Sequence, residues 1–347
     1  MIDAKHNNVT RGTHPARRRG IALLAFGALV AAAFVVRSKT RQAERIHPPI
    51  GQFIEVDGVR LHYVERGQGQ PLVLLHGNGT MVDDFAVSGL LDQAAANYRV
   101  IAFDRPGFGH SERPHGKIWT PIAQAQLLHR ALQQLGIERP IVVGHSWGTL
   151  VTLALALEFP AYVRSLVLLS GYYYPSMRLD LPLAASPAIP ILGNLMRYTV
   201  SPLLGRLMWP AVIKRMFSPA AVSPGFEAFP VWMALRPSQL RASAAESALM
   251  IPAAMTLGRR YRELTMPVVL MAGAGDRIAN AQHNSARLHD ELRQSDLRLT
   301  PGAGHMIHHL QPDQVMAAID SAAKAGGLEP VSLPTSHADV LGARSVH

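Results

Sequence analysis

No cysteine occurs in the chain, which excludes disulfides, thiolate metal sites and a cysteine nucleophile. Charged residues are also scarce, at 17% against 48% apolar, and that balance excludes an intrinsically disordered chain. Acidic residues fall short of basic ones, giving a formal net charge of +10. The shortage is local. Residues 1–46 hold nine Lys/Arg against two acids, so the remaining chain carries only +3. A basic character confined to one end argues against a nucleic-acid partner and for a membrane surface. The 347 residues can bury a large core, and they read as one main domain with an insertion.

Residues 1–19 form a basic segment ending in Arg17-Arg18-Arg19, and Gly20–Val36 is a run of 17 uncharged, mostly apolar residues. At 1.5 Å per residue the run makes roughly 25 Å of helix, the lower limit for a membrane span. The arginines suit a cytoplasmic flank, so the simplest reading is an uncleaved anchor with the bulk of the chain outside. A cleaved signal segment, with Ala31-Ala32-Ala33 as its small-residue site, and a peripheral segment are the alternatives. Residues 37–50 are polar and end in "HPPI", which reads as a stiff linker lifting the domain off the membrane.

Beyond the linker, "FIEVDGVRLHYVERG" is two alternating runs joined at Asp57-Gly58, a hairpin signal. Solid apolar runs follow: "PLVLLHGNG", "YRVIAFDRPGFGHS", "RPIVVGHSWG", "VRSLVLLSG", "MPVVLMAGAGD" and "SDLRLTPGAGH". Between them lie helical patterns near 82–95, 121–135, 147–158 and 281–292, and a final one at 312–324. Buried strands alternating with helices predict an α/β fold with a mostly parallel sheet covered on both faces. The expected core is 51–171 and 263–325. Residues 172–262, rich in Pro, Met, Leu and Trp without a convincing strand, read as an insertion of several short helices, and 326–347 as a flexible tail.

Gly144-His145-Ser146-Trp147-Gly148 stands between a strand-like run and an alanine- and leucine-rich helix, the context of a nucleophile elbow. Glycines at 144 and 148 remove side chains where strand and helix pack closely. Serine needs a base, and "TPGAGHMIHH" supplies His305 straight after Gly-Ala-Gly, with His308 and His309 read as surface or helix-start residues. The orienting acid is sought after the preceding strand, where Asp276 lies 29 residues before His305; the rival position after "VLLSG" holds no acid. Oxyanion donors are assigned to the backbone N–H groups of Trp147 and of Asn78 in "HGNG", each worth roughly 3 kcal/mol in the transition state. His76 and "DRPGFGHS" read as scaffold, since no P-loop lysine follows those glycines. His145 reads as a strand-end brace. The scheme requires neither metal nor organic cofactor.

HGNG, DRPGFGHS, GHSWG, AGAGDRIAN and GAGH, in this order, resemble the α/β-hydrolase superfamily in its large lid-bearing branch, over about residues 53–322. The resemblance implies Ser146 as nucleophile, Asp276 as acid, His305 as base, and the 172–262 insertion as a helical cap over the pocket. It further implies that dehalogenating and epoxide-opening relatives carry aspartate where this chain has Ser146. Within the insertion, Tyr172, Tyr173, Trp209, Phe229 and Trp232 are candidates to line a pocket for a lipophilic small molecule, an acyl ester first. The same side chains also suit plain packing of the insertion. An amide or a C–C bond beside a carbonyl would use the same triad. A non-catalytic protein binding a hydrophobic ligand is the alternative of another class.

Overall fold

A computed structural model describes residues 15–176, 185–189 and 191–327. Most of the expected tail, from 328 onward, and residues 1–14 of the basic segment lie outside the described residues. One eight-stranded sheet organises the chain, in the order β1-β2-β4-β3-β5-β6-β7-β8. The antiparallel edge comprises β1 (Gln52–Val56) and β2 (Val59–Arg66), which runs against β4 (Tyr98–Phe103). From β4 outward, β3 (Gln70–Leu75), β5 (Ile141–His145), β6 (Ser165–Leu169), β7 (Val268–Gly273) and β8 (Ser295–Thr300) are parallel. Every residue of β5, β6 and β7 is buried, as the unbroken apolar runs require of strands covered on both faces. The hairpin joining β1 and β2 turns on Asp57 and Gly58, both at positive φ (52° and 71°), matching the twist of the strands.

Separate apolar cores fill the two faces of the sheet. Over one lie α4 (Pro121–Gln134) and α5 (Trp147–Glu158); over the other, α3 (Leu90–Ala95) and the C-terminal helix α12 (Pro312–Ala325). The α4 start follows from its sequence: Thr120 Oγ1 accepts the Ala123 N–H at 3.1 Å and Pro121 opens the first turn. The helical pattern near 82–95 is two helices, α2 (Val82–Val87) and α3, separated at Gly89 with φ 79°. Near 281–292, a π-helical turn (Gln282–Ala286) runs into α10 (Arg287–Glu291).

Between β6 and β7 come α6 (Leu192–Tyr198), α7 (Val200–Phe217), α8 (Val231–Ala234) and α9 (Pro237–Gly258). Two of these, of 18 and 22 residues, are longer than the short helices expected; Pro210 and Pro252 lie inside them. The insertion is tied to the sheet by buried charge. Arg105, directly after β4, pairs with Glu246 of α9, both side chains 0% exposed. Its remaining donors go to the His76 carbonyl (2.8 Å), the Gly77 carbonyl (2.9 Å) and Gln124 Oε1 (3.0 Å). His76 accepts the Arg105 N–H on Nε2 (3.0 Å) and donates from Nδ1 to its neighbour's carbonyl (2.8 Å). Burial, then the Arg105 charge, push the His76 pKa down to about 3, so the ring is neutral and its tautomer is set by these two bonds.

The N-terminal helix corrects one expectation. Residues 37–46 are not a linker: α1 runs unbroken from Pro15 to Ile46. Nothing between Arg37 and Ile46 breaks a helix, and the first proline comes only at Pro48. Rather than standing off, this half docks. Val36 and Ala43 are buried, α1 packs on α6, α7 and α8, and Glu44 pairs with Arg236 at 3.1 Å. The other half, from Arg19, is almost wholly exposed and is long and apolar enough to cross a membrane.

Removing Glu246 leaves Arg105 buried without its partner, so Glu246→Ala is expected to lower stability by about 3–5 kcal/mol, read from urea unfolding of the detergent-solubilised chain. Acid acts through His76. Its folded pKa lies below its unfolded value, so its contribution is complete above pH ~6.5 and is lost as pH falls towards 3; the loss from this ring alone is about 2 kcal/mol at pH 5. Unfolding midpoints at pH 7.5 and pH 5 read this loss together with that of the other buried histidines whose pKa is lowered, His145 and His308, and equal midpoints contradict a set of neutral buried imidazoles.

Candidate active site

Three loops leaving the carboxyl ends of β5, β7 and β8 bring Ser146, Asp276 and His305 together. Ser146 has φ 52° and ψ −119°, a conformation non-glycine residues rarely adopt, and it is held by its N–H bond to the Leu169 carbonyl at 2.9 Å. Close approach explains the glycines. A Cβ on Gly144 would sit 2.5 Å from Thr152 Oγ1 and 2.8 Å from the Gly148 backbone, and one on Gly148 would collide with the Leu75 and His76 carbonyls. Side chains at either position would push the strand, the helix and the 76–79 loop apart.

His305 Nε2 lies 2.9 Å from Ser146 Oγ, and His305 Nδ1 lies 2.8 Å from Asp276 Oδ2. The other carboxylate oxygen of Asp276 accepts the Ile278 and Ala279 N–H groups at 2.7 and 3.0 Å. Those bonds hold Oδ1 and leave Oδ2 to face the imidazole. The His305 peptide is pinned as well: its N–H donates to the Met216 carbonyl in α7 at 2.8 Å, and its carbonyl accepts from His145 Nε2 at 3.1 Å. His145 is therefore engaged with backbone. Burial first, then the facing His308 and His305, hold its pKa well below the ordinary histidine value.

The loop after β3 packs against the serine. A Cβ on Gly77 would come within 3.1 Å of both Ser146 Cβ and His145 Nδ1, so Gly77 lets this loop approach. Asn78 follows, its side-chain amide donating to Ser243 O and Ser247 Oγ of α9, both at 3.2 Å. Its side chain thus serves the insertion, while Trp147 begins α5 with its indole buried.

The expected pocket residues divide. Trp209 and Phe229 stack with ring centroids 5.8 Å apart, and Trp232 packs on the same cluster, which also holds Met81, Phe226, Met233 and Met306. Met81 and Met306 place that cluster next to the glycine loop and His305. Tyr173 lies elsewhere: its ring is fully buried in the core under α5, and its N–H donates to Asn284 Oδ1 at 2.8 Å. The Tyr172 hydroxyl accepts the Ser176 N–H at 2.8 Å.

His308 and His309 do open a short helix, α11 (Ile307–Leu310), but neither is a surface residue. Both donate from Nε2 to the buried carboxylate of Asp84, at 3.1 and 2.7 Å. Burial alone would raise the Asp84 pKa; the two imidazoles outweigh it and hold the carboxyl well below its ordinary range. Asp84, His145 and His308 have ligand-type atoms within 4.8 Å of one another, the spacing a cation would need. The His308–Asp84 bond, the packing of the His308 ring on His145 and the His145 bond to the His305 carbonyl make the cluster a brace. The paired histidines of "HMIHH" and the lone acid of "AAESALM" were the available signals for this brace and for the Arg105–Glu246 pair.

Known proteins resemble the chain in the same terms. The sequence pattern of the alpha/beta hydrolase family matches residues 72–318. A 2-hydroxy-6-oxo-2,4-heptadienoate hydrolase of Pseudomonas putida is 26% identical, over 76% of this chain and 92% of its own. Haloalkane dehalogenase 2 of Mycobacterium tuberculosis is 27% identical, over 79% and 95%. Among solved structures, a membrane phospholipase A superposes with a TM-score of 0.61 at 21% identity, covering 89% of this chain and 99% of that one. With the elbow, the strand order and the family pattern in agreement, the chain belongs to the alpha/beta hydrolase family.

Proposed function

We propose that the chain is a serine hydrolase that cleaves carboxylic esters with lipophilic acyl groups, anchored by α1 with its catalytic domain on the extracytoplasmic side. The observation that carries the reading is the single imidazole between Ser146 Oγ (2.9 Å) and Asp276 Oδ2 (2.8 Å). In this mechanism His305 Nε2 takes the Ser146 proton as Oγ attacks the carbonyl carbon. Asp276 keeps the proton on Nδ1 and stabilises the imidazolium that forms. The oxyanion is received by the Asn78 and Trp147 backbone N–H groups. His305 then gives its proton to the departing alcohol, and water, activated by the same imidazole, releases the acid from the acyl-enzyme.

The apolar cluster of Met81, Trp209, Phe226, Phe229, Met233 and Met306 supports a lipophilic acyl group, and the insertion acts as the cap over it. The membrane phospholipase A among the fold neighbours is compatible with a lipid ester. Serine at position 146 speaks against the halide displacement named in the dehalogenase relative. A second reading, hydrolysis of a C–C bond beside a carbonyl, draws on the heptadienoate hydrolase relative and uses the same triad.

A fluorophosphonate probe is expected to label the wild-type chain and not Ser146→Ala; an adduct independent of Ser146 overturns the serine mechanism. His305→Ala and Asp276→Asn are expected to lower kcat by at least about 10⁴-fold and by roughly 10³–10⁴-fold. With p-nitrophenyl esters of increasing acyl length, kcat/KM is expected to rise with chain length. A preference for acetyl esters, or turnover of a dienoic C–C substrate instead, decides against the lipophilic-ester reading.

A further inference from the structure

Large apolar side chains are exposed in two places that touch. The first is the membrane-length half of α1, with Leu23, Leu24, Phe26 and Phe34 at 67–76% exposure. The second is the α6–α7 part of the cap. Outside α1, most of the exposed large apolar residues fall between Ile189 and Val222. On α7, Val200, Leu204, Leu207, Met208 and Ala211 are exposed at helical spacing, one continuous stripe on the face opposite buried Ile213 and Phe217. Leu207 is 78% exposed, and Ile191, just before α6, is 85% exposed. A stripe this apolar needs a cover.

The packing of α1 identifies that cover. Leu29, Ala32, Ala33, Val36, Ala43 and His47 are buried or half-buried along one side of the chain leaving the membrane-length run, and α1 packs on α6, α7 and α8. The first four of these residues belong to the apolar run itself. The cap therefore lies alongside residues that sit in the bilayer when α1 is inserted, and it cannot stand clear of the lipid while these contacts hold. Charge agrees with this placement. Between Leu192 and Phe217 there is no acidic residue, while Lys214 and Arg215 are exposed at the C-terminal end of the stripe on α7. Cations flanking an apolar stripe reach lipid phosphates while the stripe enters the headgroup boundary.

We propose that the exposed α6–α7 face of the cap is a membrane-docking surface, seated in the interface of the same bilayer that holds α1. The proposal rests on the anchor reading of α1. It places the cap, which covers the candidate site, against the phase in which lipophilic esters are dissolved.

Because the chain has no cysteine, Phe26→Cys, Leu207→Cys and Glu138→Cys each carry a single thiol. Glu138 is exposed in the loop entering β5, at the end of the sheet away from Ser146. Each full-length variant, checked for wild-type fluorophosphonate labelling, is coupled to an environment-sensitive fluorophore. It is then reconstituted in phosphatidylethanolamine–phosphatidylglycerol vesicles with or without brominated acyl chains. The expected result is roughly twofold or greater quenching by bromolipid at positions 26 and 207 and none at 138. Quenching at 26 but not at 207 overturns the docking surface and leaves the anchor standing. No quenching at 26 or 207 overturns both. A label at 207 that is shielded from water yet unquenched assigns the face to a second copy of the chain, and equal quenching at all three sites shows no specific face; either result overturns the proposal.

Discussion

The peptide of His305 is the constraint on which the candidate site depends. Its N–H is held by the last turn of α7 through Met216, and its carbonyl by His145, the residue next to Ser146. Its ring reaches the other way, to Asp276 and to Ser146 Oγ. Four separate parts of the chain thus meet on one residue: the β5 elbow, the loop after β7, the loop after β8 and the insertion. Holding both ends of the peptide leaves the imidazole little freedom to swing away from the serine, the pre-organisation that proton transfer in a triad requires.

That arrangement demands an uncharged His145. Its Nε2–H must donate to a carbonyl, and its Nδ1 is buried without a partner, so a second proton would be an unsolvated charge beside His305. Beneath it the His308 ring packs with centroids 4.3 Å apart, and Asp84 in turn fixes His308 and His309. A buried carboxylate is costly unless its oxygens are satisfied; here each oxygen has an imidazole. The insertion is joined to the sheet by the same logic at Arg105 and Glu246, where the guanidinium donates to five oxygens. Apolar surfaces can slide over one another, whereas such directional pairs define one relative position.

What could be read from the sequence was what local patterning encodes. Unbroken apolar runs mark strands buried on both faces, and a serine between glycines at a strand–helix junction marks an elbow, so Ser146, Asp276 and His305 were each identifiable from a few neighbours. Partnerships across the chain were not. Glu246 in "AAESALM" meets Arg105, 141 residues away, and nothing near either residue names the other. His308 and His309 read as surface or helix-start residues; they do open a helix, but Asp84 draws both rings into the interior. Tyr173 stood open in the same way: an aromatic beside a glycine suits a pocket wall or a core equally, and its ring lies in the core.

The polar stretch after the apolar run was misjudged because composition says whether a segment can be helical, not what it packs on. The correction bears on how α1 meets a bilayer. Its uncharged run of 17 residues spans roughly 25 Å, short of the hydrocarbon thickness of about 30 Å. A lone short helix meets such a mismatch by thinning the bilayer or by snorkelling its flanking cations. Here α1 does not end at the run's last residue but continues as a stiff rod into the cap. In the proposed docking the apolar stripe of α7 and the residues around α6, which pack on α1, would add apolar surface beside the short run. Under the proposed docking, the short run and the exposed face of the insertion are covered at a single interface.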